Sequence, residues 1–236
     1  MKKLNSLSIF FPFWNEEKNI KNVVESAIPI AEKIAKNWEI LIIDDGSTDR
    51  TLEIAKDLEK NNNNVKVISH FPNRGYGGAL REGIENSKYD IIVFTDGDGQ
   101  FNFKQVDKFI DRIGNNDMVI GFREKRQDNL VRHMLMDGLK IWDFTFFGFH
   151  FKDIDCGFKM FRKEAIMSLY PLRSEGAMIT TEILAKAKRK KLKIAQVVVE
   201  HFPRTSGNQS GANFFVISRA VLESLILWGD MRNGRI

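Results

Sequence analysis

Cysteine is nearly missing from this chain. Of 236 residues only Cys156 carries a thiol, which excludes an internal disulfide and fits a reducing compartment. Proline occurs five times, and there is neither a long polar tract nor an internal repeat to suggest a flexible linker. No run approaches the roughly 20 apolar residues needed to span a bilayer. The opening Met1-Lys2-Lys3-Leu4 leads into a strand-like segment without the layout of a signal peptide, so the expectation is a cytoplasmic protein. An excess of charge is also lacking: 36 Lys plus Arg against 31 Asp plus Glu leave a net +5. That balance accommodates phosphates or anionic lipid, whereas a nucleic-acid partner would require a clearer basic stripe than the run Lys186 to Lys193, or a base-stacking motif. The G-K-[ST] of a Walker loop and the glycine spacing of a dinucleotide fingerprint are missing too.

What is there is an ordinary globular composition, 43% hydrophobic and 28% charged, long enough for one large α/β domain or a domain with an appendage. Its centre is Tyr89 to Gln100, Y-D-I-I-V-F-T-D-G-D-G-Q. Ile91 to Phe94 is a short continuous apolar run, the pattern of a strand buried on both faces of a parallel sheet. Asp96 and Asp98 then emerge at its carboxyl end, where open α/β sheets bind ligands. Asp96, Asp98 and Gln100 can turn hard oxygen atoms toward one Mg²⁺ or Mn²⁺, leaving other positions for water and diphosphate. An acidic Asp-Gly turn after a buried strand is the plainer alternative.

Other segments repeat this layout. Ser6 to Phe13 is a strand followed by Pro12-Phe13-Trp14-Asn15-Glu16-Glu17, with both glutamates expected in the first turn of a helix. Ile20, Val23, Val24, Ala27 and Ile28 would form that helix's core face. Trp38 to Ile43 ends at Asp44-Asp45-Gly46-Ser47-Thr48-Asp49, where Ser47 or Thr48 would cap the next helix and leave at least one of Asp44 and Asp45 at the crevice, free to accept hydrogen bonds. Val65 to Ser69 precedes Asn73-Arg74-Gly75-Tyr76-Gly77-Gly78, a loop whose N–H groups, around Gly75 and Gly78, can approach phosphate ahead of a helix starting near Ala79. Four successive strands ending in polar or glycine-rich clusters point to one crevice at one sheet edge.

In order and spacing, Phe11-Pro12-Phe13-Trp14-Asn15-Glu16, Asp44 to Asp49, Asn73 to Ala79 and Asp96 to Gln100 resemble glycosyltransferase family 2, and most of all its dolichyl-phosphate mannose synthase and polyprenyl-phosphate sugar transferase branch. The resemblance implies a GT-A fold: an α/β, Rossmann-like, mostly parallel sheet flanked by helices, with amphipathic helices on the acceptor side. Residues 1–211 would be the catalytic domain, 1–100 its nucleotide half and 101–211 its acceptor half, with 212–236 an amphipathic helical tail. It further implies that Pro12, Phe13 and Glu16 border the nucleotide, that Asp44 or Asp45 contacts base or ribose, and that Asp96, Asp98 and Gln100 hold Mg²⁺ or Mn²⁺. Transfer would run with inversion from a GDP- or UDP-sugar to polyprenyl phosphate, at a membrane surface.

Beyond the metal motif, Phe103 to Ile113 reads as an amphipathic helix and Met118 to Gly121 as a strand. Gly121-Phe122-Arg123 with Arg126 matches the family's G-x-R segment. Arg123 would then serve catalysis as a planar fork for phosphate, or else be a strand-end arginine paired with a surface acid. Arg132 is a candidate for the acceptor phosphate. Leu130 to Phe151 is dense in aromatic residues and reads as core, as a homo-oligomer interface, or as a helix lying in the membrane interface. Asp153-Ile154-Asp155-Cys156-Gly157-Phe158-Lys159 resembles the acceptor-side motif D-x-x-x-G-F-[KR]; Asp155 is the catalytic carboxylate placed nearest the reacting centre, and Cys156 is read as buried. Ala177 to Lys191 suggests a helix carrying Glu182, a candidate base beside Asp155 if the acceptor is a saccharide hydroxyl.

Ile194 to Val199 is a strand leading to Glu200-His201-Phe202-Pro203-Arg204, which with Gly207 and Ser210 matches the branch's H-x-P-R-x-x-G-x-S pattern except near its end, where Gln209 precedes Ser210 and no lysine follows. Arg204 would bind phosphate, Ser210 would help cover the occupied site, and His201 is either a metal ligand or a structural strand-end residue. A non-catalytic nucleotide-sugar-binding protein is the reading from another class.

Overall fold

The structure is a computed structural model and describes residues 3–124, 148, 151–204 and 214–233. Arg126, Arg132, Ser210 and most of the aromatic segment from Leu130 to Phe151 lie outside the described residues. Strands β1 (Leu4–Phe13), β2 (Ala35–Asp44), β3 (Val65–Ser69) and β4 (Ile91–Thr95) alternate with helices α1 (Ile20–Ile34), α2 (Thr51–Asn61) and α3 (Tyr76–Asn86). A single 3₁₀ turn (Phe103–Gln105) and α4 (Val106–Ile113) lead to β5 (Met118–Arg123). Then come β6 (Phe158–Arg162), α5 (Lys163–Met167), α6 (Met178–Arg189), β7 (Ile194–Val199) and α7 (Phe214–Arg232).

The seven strands form one sheet in the order β3-β2-β1-β4-β6-β5-β7. All neighbours are parallel except β6, which runs against both β4 and β5. Every residue of β4 is buried, as its unbroken apolar run demands of a strand covered on both faces. Successive side chains alternate between two cores. Leu7, Ile9, Phe11 and Val93 pack with Val24, Ala27 and Ala31 of α1, and Phe10, Ile92 and Phe94 pack with Leu80 and Ile84 of α3 and Ile179 and Ile183 of α6. Each such side chain contributes about 1.5–3 kcal/mol by leaving water. Phe10 stacks on Phe94 at 5.1 Å, and α3 comes so close that a Cβ on Gly83 would enter the Phe10 ring.

Three local expectations are corrected. Helix α1 begins at Ile20, so Glu16 and Glu17 precede it in a turn, and its buried stripe is Ile20, Val24, Ala27, Ala31 and Ile34, with Val23 and Ile28 only partly buried. Helix α2 is not capped by Ser47 or Thr48; the Asp49 carboxylate accepts from Thr51 N at 2.9 Å, and the Ser47 hydroxyl accepts from Asn15 N at 3.0 Å. Strand β6 was not anticipated, because Lys159 and Arg162 interrupt its apolar pattern.

The register decides where the chemistry can sit. Thr95 at the end of β4 faces Phe158 at the start of β6, and Arg123 at the end of β5 faces Val199 at the end of β7. The carboxyl ends of β1, β2, β4, β5 and β7 and the amino end of β6 therefore share one edge. No helix among the described residues is long and apolar enough to cross a membrane.

Candidate active site

On the nucleotide side, the β1–α1 and β2–α2 loops are laced together. Asn15, at φ +54°, accepts Thr48 N at 2.8 Å, Glu16 N donates to the Thr51 hydroxyl at 2.8 Å, and Asp45 N donates to the Phe13 carbonyl at 2.9 Å. Pro12 pairs with Ile43 in the sheet, while the Phe13 ring is buried beneath Gly97, where a Cβ would strike it. Asp44 and Asp45, at and just past the end of β2, both accept hydrogen bonds, and the donors are protein groups. Asp44 is buried and accepts the Ser69 hydroxyl at 2.8 Å; Asp45 is buried and accepts both His70 Nε2 and Arg74 N at 2.7 Å. These carboxylates pin the β3–α3 loop to the end of β2.

The glycine loop is also partly committed to protein contacts. Gly75 sits at φ +79°, a conformation that suits glycine, and a Cβ there would lie 2.7 Å from the Glu175 carbonyl. Gly77 N donates to that carbonyl at 2.7 Å, and Gly78 is pressed against the Arg74 side chain. Helix α3 nevertheless starts at Tyr76 rather than near Ala79, directing its first residue at the metal motif.

There the Tyr76 hydroxyl donates to Asp96 Oδ1 at 2.8 Å. On its other side the Asp96 carboxylate lies against Gly157, where no Cβ would fit. Burial, followed by the charge of Asp98, pushes the Asp96 pKa up to about 6. Asp98 Oδ1 accepts Gln100 N at 3.0 Å, and Asp98 Oδ2 lies 3.9 Å from Arg204 Nη1. The other end of the Arg204 guanidinium pairs with Glu16, whose second oxygen accepts Asn19 Nδ2 at 2.6 Å. Burial raises the pKa of Glu16, with Asn19 and Arg204 opposing. One arginine from the end of β7 thus spans carboxylates following β1 and β4.

Two carboxylates with a shared burden of negative charge fit Mg²⁺ or Mn²⁺, ions that complete their shell with water and phosphate oxygens. Gln100 is tethered to the loop after β7: its Nε2 donates to the Phe202 carbonyl at 2.9 Å and its backbone carbonyl accepts Phe202 N at 2.9 Å, bonds that do not involve the side-chain oxygen expected at the metal. His201 packs edge-on against Phe101 at 5.1 Å. Among the described residues no three His, Cys, Asp or Glu side chains converge as a metal cluster.

On the acceptor side, Arg123 is engaged by Asp153, as the ion-pair alternative had it, although that acid is buried. Nε donates to Oδ2 at 2.6 Å, Nη2 to Oδ1 at 2.9 Å, and the backbone N to Oδ2 at 3.2 Å. Asp155 is partly exposed on the same loop, and Cys156 is fully buried with its thiol pushed up to about 11 by desolvation, an unreactive state. Glu182 is corrected as a candidate base. It is buried, accepts Arg173 N at 3.0 Å and Ser174 N at 2.8 Å, and pairs with Lys186 at 2.7 Å. Burial would raise its pKa, but the Lys186 and Ser174 bonds more than offset that and hold it low.

The model described as glycosyl transferase family 2 matches residues 8–169. The chain belongs to glycosyl transferase family 2. Within this family it is 34% identical over 219 residues to the dolichyl-phosphate beta-glucosyltransferase of Saccharomyces cerevisiae, an alignment covering 82% of this chain and 66% of that protein. The human dolichyl-phosphate beta-glucosyltransferase is 31% identical over 216 residues, covering 82% and 66%. The chain thus spans just under two-thirds of the length of these relatives. An uncharacterized protein of Methanocaldococcus jannaschii, MJ1222, is 29% identical over 249 residues, covering 95% and 98%. The family's GT-A fold is seen in the structural likeness to glucosyl-3-phosphoglycerate synthase from Mycobacterium tuberculosis, solved with Mn²⁺, uridine-diphosphate-glucose and phosphoglyceric acid. The TM-score is 0.72 at 21% identity, covering 95% of this chain and 80% of that one.

Tyr76, Asp153 and Lys159 lie inside motifs whose spacing alone does not single them out, and the structure places each of them at the site. The available signal was a lone lysine between Phe158 and Met160, where a buried strand should be apolar.

Proposed function

We propose that this family 2 glycosyltransferase moves glucose from UDP-glucose to a polyprenyl phosphate, with inversion at the anomeric carbon. The observation that carries the reading is the meeting of Asp96, Asp98 and Arg204 at one sheet edge beside the Asp155 loop, since that edge must bring two anions together. The similarity to dolichyl-phosphate beta-glucosyltransferases supports glucose and the lipid acceptor. Mg²⁺ or Mn²⁺, held by Asp98 and Asp96, would supply positive charge for the departing diphosphate. Arg204 adds a guanidinium at the same place, and Glu16 with Asn19 orients it. A phosphate-monoester oxygen of the acceptor attacks C1 of glucose while the bond from C1 to the UDP oxygen breaks and its electron pair leaves with UDP. Because that oxygen is anionic at neutral pH, no strong base is required, and Asp155 serves to position groups at the reacting centre. Arg123, braced by Asp153, supports this acceptor side, with Arg126, Arg132 and Ser210 as further acceptor or donor contacts.

The acceptor brings the enzyme to the cytoplasmic face of a membrane. Leu222, Leu225 and Ile226 form an exposed apolar stripe on α7, and Lys188, Arg189, Lys190 and Lys191 are exposed around the end of α6, a combination suited to anionic lipid. The deciding experiment incubates purified protein with Mn²⁺, UDP-glucose or GDP-mannose, and a short-chain polyprenyl phosphate, and looks for a lipid-linked sugar. Transfer confined to saccharide hydroxyls would refute the lipid acceptor and assign Asp155 the role of base.

A further inference from the structure

Lys159 is the residue of the site whose chemistry is still unassigned. It lies on β6 with its side chain wholly buried, an expensive place for an ammonium. Its Nζ donates to the carbonyl of Ile154 at 3.0 Å and to that of Cys156, so one cation gathers the backbone on both sides of Asp155. Asp96, Asp153 and Asp155 all lie within its electrostatic reach. The strand register adds a second constraint: Lys159 pairs with Phe94 of β4 on one side and Ile120 of β5 on the other, placing it beneath the turn that carries the metal motif and beside the strand that carries Arg123.

We propose that Lys159 is a positioning residue for glycosyl transfer: its buried ammonium ties the Asp153–Gly157 loop to the sheet and fixes Asp155 relative to the Asp96–Asp98 turn. The inference rests on the reading that Asp155 stands at the reacting centre. A cation in this place organises the acceptor side without touching either substrate. Its loss should lower turnover while leaving donor binding, which depends on Asp96, Asp98 and the nucleotide-side loops, in place at pH 8.

The test compares Lys159→Met, which fills a similar volume without charge or donor, with Lys159→Arg, which keeps both. Calorimetry at pH 8 reads the affinity for Mn²⁺ with UDP, and initial rates give kcat and KM. For Lys159→Met the expected result is an Mn²⁺–UDP affinity within about 3-fold of the parent and a kcat lower by about 30-fold or more, with Lys159→Arg recovering to within about 10-fold. The proposal is overturned by a kcat within about 3-fold of the parent, by affinity falling in step with kcat, or by Lys159→Arg performing no better than methionine. If Lys159→Met does not fold, Lys159→Gln, neutral but still a donor, replaces it under the same criteria. A parent enzyme that transfers nothing to lipid phosphate refutes the acceptor, not the role of Lys159. The rates are then read from acceptor-free hydrolysis of UDP-glucose.

Discussion

Replacing Asp153 with asparagine keeps the shape of the side chain and removes its charge, leaving the Arg123 guanidinium buried without a counter-ion. The two side chains are 3% and 9% exposed, and three N–H groups of Arg123 converge on this carboxylate. Breaking such a pair from one side costs about 3–5 kcal/mol, because the remaining charge stays desolvated. In a chain of this size each kcal/mol lowers Tm by roughly 2–4 °C, so a fall of roughly 6–20 °C is expected for Asp153→Asn. Replacing the pair together, Arg123→Met with Asp153→Leu, should recover most of that loss, since the net worth of a buried pair over apolar side chains is close to nil. Differential scanning calorimetry on the single and double variants measures both. A fall below about 3 °C for Asp153→Asn would mean that water reaches the pair and that Arg123 is free to meet a substrate phosphate, refuting the reasoning.

Three further outcomes are expected. Asp96 must be ionised to bind a cation, so Mn²⁺–UDP affinity should be flat above pH 7 and fall toward ten-fold per pH unit below the Asp96 pKa of about 6; titration calorimetry between pH 5 and 8 checks this, and a flat profile to pH 5 would exclude Asp96 as a ligand. Gly157→Ala would drive a methyl group into the Asp96 carboxylate, and a loss of activity of about 100-fold is expected in initial-rate assays with a far smaller change in Tm. Glu182→Gln should lower stability by about 3–5 kcal/mol in denaturant titrations by stranding Lys186, yet leave kcat per folded molecule within about 3-fold, the reverse of what loss of a base would do.

Much of the architecture could be read because its determinants are local. The all-buried β4 is visible as four consecutive β-formers, β3 and β7 occupy their anticipated spans, and the polar clusters closing β1, β2 and β4 do meet at one edge. The missing information concerned partners distant in the chain. Nothing near Asp45 indicates that His70 and Arg74 will claim its carboxylate, nothing near Gln100 indicates Phe202, and Glu182 looks like any helix glutamate until the Arg173–Ser174 backbone folds over it. Motif spacing brought residues to the crevice but left open which oxygens other protein groups had already taken. Strand β6 was hidden for a related reason, since a charged residue at a buried strand position is intelligible only once its carbonyl partners are in view.

The direction of β6 has an engineering consequence. Because this strand opposes its neighbours, the chain departs from the crevice rim at Arg123 and comes back to the same rim at Asp153, where the two residues clasp. The two ends of any segment grafted between them would therefore meet at one point, and the strand pairing on either side of the clasp would be left as it is.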